Sequence, residues 1–223
     1  VYKRQIKYIV ETRSADAVIF NMTKPADERV AYLLKKQFPF VTHGRTKWAD
    51  QHAYYDYDNT AFIGVALNRL AKRGRKNILA ILPPRNQNYS QDMVRGLEQE
   101  GAQLAIKYRI SENVDSDQPS EAILHWVTRR LEQSPEIDAV LCTSSKAAIS
   151  AIVAIEKHGR KLGQDIDVYS KEVIPILKMF RENIIVEIED VGLAGRFLAK
   201  AAIQQLQDQS LPLMQQLEVP TDT

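Results

Sequence analysis

The stretch from Ala53 to Pro84 leaves this chain few folds to choose from. It opens with Tyr54-Tyr55-Asp56-Tyr57-Asp58, whose aromatic residues favour a pleated, half-buried strand, and it breaks at Asn59, a good helix-capping residue. From there Phe62, Ile63, Ala66, Leu67 and Leu70 recur at helical spacing, and Gly74 stands where a helix C-cap belongs. Ile78 to Leu82 is then an unbroken apolar run, suited to a strand covered on both faces, and Pro83-Pro84 ends it because neither residue can donate to a ladder. A strand, a helix and a doubly buried strand in succession describe a parallel sheet with helical crossovers.

The rest of the chain keeps that rhythm. Asp16 to Asn21 is expected as a buried strand ending in a polar residue, Pro25 to Gln37 as a helix, and Phe38 to Thr42 as a strand closed by His43-Gly44-Arg45. Beyond the central unit, Tyr89, Met93 and Leu97 mark a helix up to Gly101, and Gln103 to Ile110 alternates into a strand. Ile123, Trp126, Val127 and Leu131 define another helix; Asp138 to Cys142 is a strand, Ala147 to His158 a helix and Ile166 to Tyr169 a strand. Ile184 to Ile188 is a strand, Asp190 to Gln207 a long helix and Gln216 to Val219 a last short strand. Such alternation predicts an α/β fold with right-handed crossovers and parallel sheets.

Composition excludes more than it assigns. At 223 residues, 44% apolar and 26% charged, the chain is long enough for one large domain or two lobes. A net charge of +2 is too small to signal nucleic acid binding by this segment. The lone Cys142 forms no internal disulfide, no apolar run approaches the roughly 20 residues that span a bilayer, and nothing resembles a secretory leader. These features point to a cytoplasmic protein without membrane contact. The opening, Val1-Tyr2-Lys3-Arg4-Gln5 into Ile6 to Val10 with no initiator Met, is read as a truncated N-terminus.

Enzyme chemistry finds no foothold. Ser144-Ser145 is not in a glycine-flanked elbow, and no acid is tied by spacing to His43 or His158. The four histidines lie far apart, so no metal is indicated; Gly192 and Gly195 fall inside a helix, and no phosphate loop or dinucleotide fingerprint follows any strand, so no cofactor is expected.

Asp58-Asn59, a helix of about four turns, then Arg73-Gly74-Arg75 and the strand from Asn77 to Leu82 resemble the middle of the effector domain of LacI-family transcriptional regulators. The family's wording is Asp-Asn, helix, Gly-His-Arg, strand; Arg75 takes the His position here. The resemblance, which extends over nearly the whole chain, implies two doubly wound parallel-sheet lobes of the type I periplasmic-binding-protein kind with three inter-lobe crossings, near Asp58, Ile188 and Leu213. The first lobe would comprise 1–57 and 189–213, lacking its usual first strand and helix, and the second 59–187 and 214–223. It further implies a small-molecule effector, most plausibly a sugar, bound in the inter-lobe cleft; a homodimer; and DNA binding only through a helix-turn-helix headpiece missing from this chain. The alternative is a periplasmic-type sugar-binding protein, which shares the fold.

Carried over residue by residue, the resemblance nominates Asn21, Arg45, Tyr89, Ser144, Glu172 and Glu189 as ligand-binding. Asn21 is read either as a turn former or as a cleft group. Gly44 replaces the acid that the family often has before Arg45, and Met93 precedes the place of a frequent effector-binding Arg, so Tyr89 or Arg95 is expected to act there. Ser144-Ser145 stands for an Asn-Asp pair, read as a helix N-cap or as a hydroxyl that caps and also faces the cleft. Lys171-Glu172 replaces a pair of acids after a strand, read as an exposed charge pair or, for Glu172, as a ligand group. Glu189 borders the pocket, with Asp190 also suited to cap the long helix. Arg69, Lys72, Arg73, Arg75 and Lys76 are read as solvated surface, and Tyr32 and Leu33 as apolar anchors of a dimer.

Overall fold

The structure, a computed structural model, describes residues 2–220. It contains α1 (Tyr2–Thr12), β1 (Val18–Phe20), α2 (Glu28–Lys36), β2 (Phe40–His43), β3 (Ala53–Tyr57), α3 (Asn59–Lys72), β4 (Asn77–Ile81), α4 (Asn88–Gln103) and β5 (Lys107–Ile110). There follow α5 (Ser120–Gln133), β6 (Ala139–Cys142), α6 (Ser145–Lys157), β7 (Asp167–Glu172), α7 (Leu177–Phe180), β8 (Ile185–Ile188), α8 (Val191–Gln207) and β9 (Gln215–Glu218). The strands form two sheets, ordered β1-β2-β3-β9 and β5-β4-β6-β7-β8, and every pairing is parallel. The α/β alternation and the parallel sheets are as the sequence predicts.

The chain divides into two compact units. Unit one holds the residues up to Asp58, Asn86–Tyr89 and Asp190–Glu218; unit two holds Asn59–Arg85, Ser90–Glu189 and the described residues from Val219. In unit one, α8 lays Ala194, Leu198, Ala201 and Ala202 against Val41, Ala53 and Tyr55, while Ile6, Val30, Leu33 and Phe40 form a second cluster. In unit two, β4 and β6 are buried almost throughout, packed with Ile123, Val127 and Leu131 of α5 and Ala148, Ala151 and Ile155 of α6. Fully burying one such aliphatic side chain stabilises a domain by about 1.5–3 kcal/mol, so these helix faces dominate each unit's stability.

Several expectations are corrected. The last strand belongs to unit one, not to the second lobe: Tyr54 to Tyr57 of β3 pair with Gln215 to Glu218, and Tyr55 Oη donates to Glu218 Oε2 at 2.5 Å. The passage expected near Leu213 therefore falls after Glu218; Val1 and residues 221–223 of the expected segments lie outside the described residues. β1 is not a buried strand, because it lies at its sheet's edge with Ile19 47% exposed. Leu33 is fully buried in unit one's core, so it is no dimer anchor. Asn59 is the first residue of α3 rather than its cap.

The basic cluster is not simply solvated. Arg73 (Nε and Nη2, both 2.9 Å) and Arg75 (Nε, 2.6 Å) grip the fully buried Asp167 at the start of β7, and Arg69 pairs with Glu187 at 3.1 Å. Burial alone would raise the pKa of Asp167, but the hydrogen bonds and charges of the two arginines outweigh it and hold the carboxyl below its ordinary value.

Candidate functional site

In a parallel sheet all the strand ends that carry helix-entry loops lie on one edge, which is where doubly wound folds gather ligand groups. In unit one that edge consists of the loops after β1, β2 and β3. Thr23, buried after β1, donates from Oγ1 to Arg45 O at 3.0 Å, and Arg29 donates to the carbonyls of Asn21 and Met22 at 3.1 and 2.9 Å. Asn21 itself is exposed. Gly44 has φ +112°, and a Cβ there would come within 2.5 Å of Thr23 Oγ1, so glycine is needed both for the backbone angle and for the close approach. This accounts for Gly44 where the family often has an acid.

The acid that steadies Arg45 comes instead from β3. Arg45 donates from Nε to Asp56 Oδ2 at 2.7 Å and from its backbone N at 3.2 Å; the Asp56 side chain is 5% exposed and that of Arg45 30%. Asp56 is the partner of Arg45 that the sequence reading missed, and an acid inside a strand of tyrosines was the available signal. Tyr89, half-buried, sits in the first turn of α4, which the Asn88 N–H fastens to Thr23 O at 2.9 Å. The β1 loop thus positions both Arg45 and the turn bearing Tyr89.

In unit two the corresponding edge gathers the ends of β6, β7 and β8. Ser144 caps α6, accepting from Ala147 N at 3.2 Å. Lys171 and Glu172 are not an exposed pair after a strand: β7 runs through both, and its alternation sends them to opposite faces. Glu172 is 2% exposed, and its Oε1 accepts from Ser145 Oγ at 3.0 Å and from Leu177 N at 3.3 Å. Its Oε2 is buried with no hydrogen-bond partner among the described residues. Glu172 thereby holds the entries of α6 and α7 in place.

On the α3 side, Lys171 Nζ lies 2.5 Å from Glu189 Oε2 and donates to Asn59 Oδ1 at 3.2 Å, above the ring of Phe62. Glu189 N–H donates to Glu172 O at 2.9 Å, extending the β7–β8 ladder to the end of unit two. Below this group Glu187 takes Arg69 and the hydroxyl of Tyr169. The sequence reading named Glu189 but neither Asn59 nor Lys171 as polar partners. Each edge therefore offers hydrogen-bond donors and acceptors in fixed pairs, an equipment for holding a polar molecule. Among the described residues no group of three or more His, Cys, Asp or Glu is placed to hold a metal ion.

Residues 3–212 match the family of periplasmic binding proteins and the sugar binding domain of the LacI family. The chain belongs to that family. The resemblance read from Asp58-Asn59 and Arg73-Gly74-Arg75 is borne out. Among curated proteins this LacI-family chain is 29% identical over 202 residues to the HTH-type transcriptional regulator AglR of Rhizobium meliloti (strain 1021), covering 85% of the chain and 54% of that protein. It is 24% identical over 176 residues to the HTH-type transcriptional regulator CelR of Thermobifida fusca, covering 75% of the chain and 50% of that protein. The chain thus spans about half the length of these relatives, which are transcriptional regulators and not enzymes. Among solved structures, the transcriptional regulator CelR in complex with cellobiose matches with a TM-score of 0.86 at 18% identity, over 99% of this chain and 68% of that one. That likeness shows the periplasmic-binding-protein-like fold.

Proposed function

We propose that this chain is the effector-binding and dimerisation domain of a LacI-type transcriptional regulator, and that its effector is a small sugar. What carries the reading is the family match over residues 3–212, joined to curated relatives that are HTH-type regulators. The CelR–cellobiose complex, with the same fold, supports a sugar over other small polar molecules. DNA contact falls to a helix-turn-helix segment outside this chain, and the working compartment is the cytoplasm. Among the described residues no helix is long and apolar enough to cross a membrane.

In this reading unit one, taken by itself, presents Asn21, Arg45 and Tyr89 to an effector, and unit two, taken by itself, presents Glu189, Lys171 and Asn59. Ring hydroxyls both donate and accept, which suits amide, guanidinium and carboxylate groups, and a sugar's apolar face suits the Tyr89 ring. Ser144 and Glu172 act behind them by fixing the loops. Losing a hydrogen bond from a charged side chain costs about 1.5–3 kcal/mol, on the order of ten- to a hundredfold in affinity.

Calorimetric titration with a panel of mono- and disaccharides including cellobiose tests the assignment. Arg45→Ala is expected to weaken binding at least about tenfold without unfolding the domain; unchanged affinity, or no binding by any sugar, overturns it. A gel-shift assay of the complete protein on the DNA upstream of its own gene separates the regulator from a periplasmic-type binding protein. Sedimentation tests the homodimer.

A further inference from the structure

Unit one has a second edge. β2, β3 and β9 are parallel, so their starting ends lie together, opposite the helix-entry loops that hold Arg45. There the end of α2, the start of β2, the residues before β3 and the turn from α8 to β9 surround a cavity of about 330 Å³, and every residue lining it belongs to unit one.

The walls of this cavity are apolar and partly aromatic. Leu33 and Phe40 are buried, Leu34 and Phe38 half-buried. The His52 ring lies 5.3 Å from that of Phe40, and its Nε2 and Nδ1 face Thr46 Oγ1 and Ala53 O, each at 3.0 Å. Burial favours the neutral imidazole, so His52 serves there as an aromatic wall and not as a charge. At the mouth Leu211 and Leu213 stand 48% and 41% exposed, apolar surface that gains by being covered.

Amides make the rim. Gln205 Oε1 accepts from Phe40 N at 3.1 Å and Gln204 Nε2 donates to Pro212 O at 2.8 Å, which fastens the end of α8 to β2 and to the turn before β9. The side chains of Gln37, Gln51 and Gln209 make no hydrogen bond among the described residues. No Lys or Arg lines the cavity; Lys35 and Lys36, exposed in the last turn of α2, lie outside the lining. Its one acid, Asp208, accepts from Ser210 N and Oγ at 2.9 and 2.6 Å.

We propose that this cavity is a second binding site, separate from the strand-end edge, for a small uncharged aromatic molecule with hydrogen-bonding atoms on its rim. The assignment does not depend on the effector reading. A flat ring packs in offset or edge-to-face contact with Phe38, Phe40 and His52, and its polar atoms reach glutamine amides, which both donate and accept. An anion would enter with no cation to meet it, so its desolvation would go uncompensated. The volume falls at the small end of the range of about 300–1,000 Å³ typical of small-molecule sites. An occupant touching α2, β2 and the α8–β9 turn at once binds only the folded unit, and so stabilises it by mass action.

The test is titration of the purified protein with indole, followed by calorimetry, thermal melting and amide NMR spectra. Indole is expected to bind with a Kd of about 1 mM or tighter, to raise Tm as its concentration rises, and to move the Phe40 and His52 signals before those of Arg45 and Tyr89. Indole-3-acetate, the same ring carrying a carboxylate, is expected to bind at least about tenfold more weakly. Leu34→Trp fills the cavity from α2 and is expected to abolish indole binding while leaving the response to cellobiose as in the parent. Gln51→Ala, at an exposed amide, is expected to weaken indole about two- to tenfold, and it decides alone should Leu34→Trp fail to fold. Absence of indole binding, equal affinity for indole-3-acetate, affinity unchanged by these substitutions, or signals that move first at Arg45 and Tyr89 each overturn the proposal. None of these results touches the effector reading, which stands or falls on the separate sugar titrations.

Discussion

Glu172→Ala separates a ligand contact from a framework residue. The substitution removes two hydrogen bonds to a carboxylate, from Ser145 Oγ and Leu177 N, each worth about 1.5–3 kcal/mol. It also removes the unpartnered Oε2, relieving about 1–3 kcal/mol of burial cost. The balance is a loss of about 2–3 kcal/mol, which for a domain of this length lowers Tm by about 4–12 °C. Ser145→Ala alone should cost about 1 kcal/mol. Because the two side chains share one hydrogen bond, the double variant should show a coupling of at least about 0.5 kcal/mol in urea unfolding. Glu172→Gln, which keeps Oε1 as an acceptor, should lose less than Glu172→Ala. If Glu172→Ala melts within about 1 °C of the parent, or the coupling is absent, the carboxylate does not hold α6 and α7 and the argument fails.

Three further outcomes follow from the packing. Asp167→Asn breaks a buried ion pair with two arginines; since the Arg73 side chain is 45% exposed and can turn to water, the loss should sit near the low end, about 3 kcal/mol, and an unchanged urea midpoint would refute it. The depressed pKa of Asp167 means that the stability it provides is present above the unfolded carboxyl's pKa and fades as pH falls through the lower folded one. Gly44→Ala meets both the +112° backbone angle and Thr23 Oγ1, so about 1–3 kcal/mol should be lost along with effector affinity, whereas wild-type melting and binding would show the β2 turn to be more pliant than described. His52, buried with Nε2 facing Thr46 Oγ1 at 3.0 Å and Nδ1 facing Ala53 O at 3.0 Å, has its pKa lowered chiefly by burial. The unfolded chain then binds more protons, so stability should decline as pH drops below the unfolded value of about 6.5, and His52→Asn should flatten that slope; parallel Tm-versus-pH curves would contradict this.

The elements that sequence reveals here are those whose side chains repeat with a period. Phe62, Ile63, Ala66 and Leu70 declare α3, and Ile78 to Leu82 declares a strand covered on both sides, because burial of one stripe or of two faces leaves a local pattern. β7 is legible only as far as Tyr169. Its last residues, Ser170, Lys171 and Glu172, are polar and lie at the end of the strand that carries the helix-entry loop, and that polarity conceals both the strand's length and the opposite directions of Lys171 and Glu172. β9, three polar residues and Leu217, is legible as a short strand, but its neighbour is fixed by backbone hydrogen bonds to a strand far away in sequence; α7, a single turn, is too short to show a period. In the candidate site, Arg45 and Glu189 are visible as charged residues at strand ends. Their counterions Asp56 and Lys171 are not, because pairing depends on which strands become neighbours.

The β3–β9 pairing also governs when unit one can be finished on the ribosome. Tyr55 waits for Glu218, 163 residues later, and Phe40 N waits for the Gln205 side chain, 165 residues later. At translation rates of about 5–20 residues per second that delay is roughly 8–30 s, far longer than a helical crossover takes to form. Throughout it, β3 presents an open edge of tyrosines beside a part-built sheet, while the segments of unit two emerge almost without interruption and can pack first. An unpaired strand edge held that long is where a nascent chain invites chaperones or self-association. Arrest of synthesis just before Gln215 should therefore leave unit two protease-resistant and β3 exposed to cleavage.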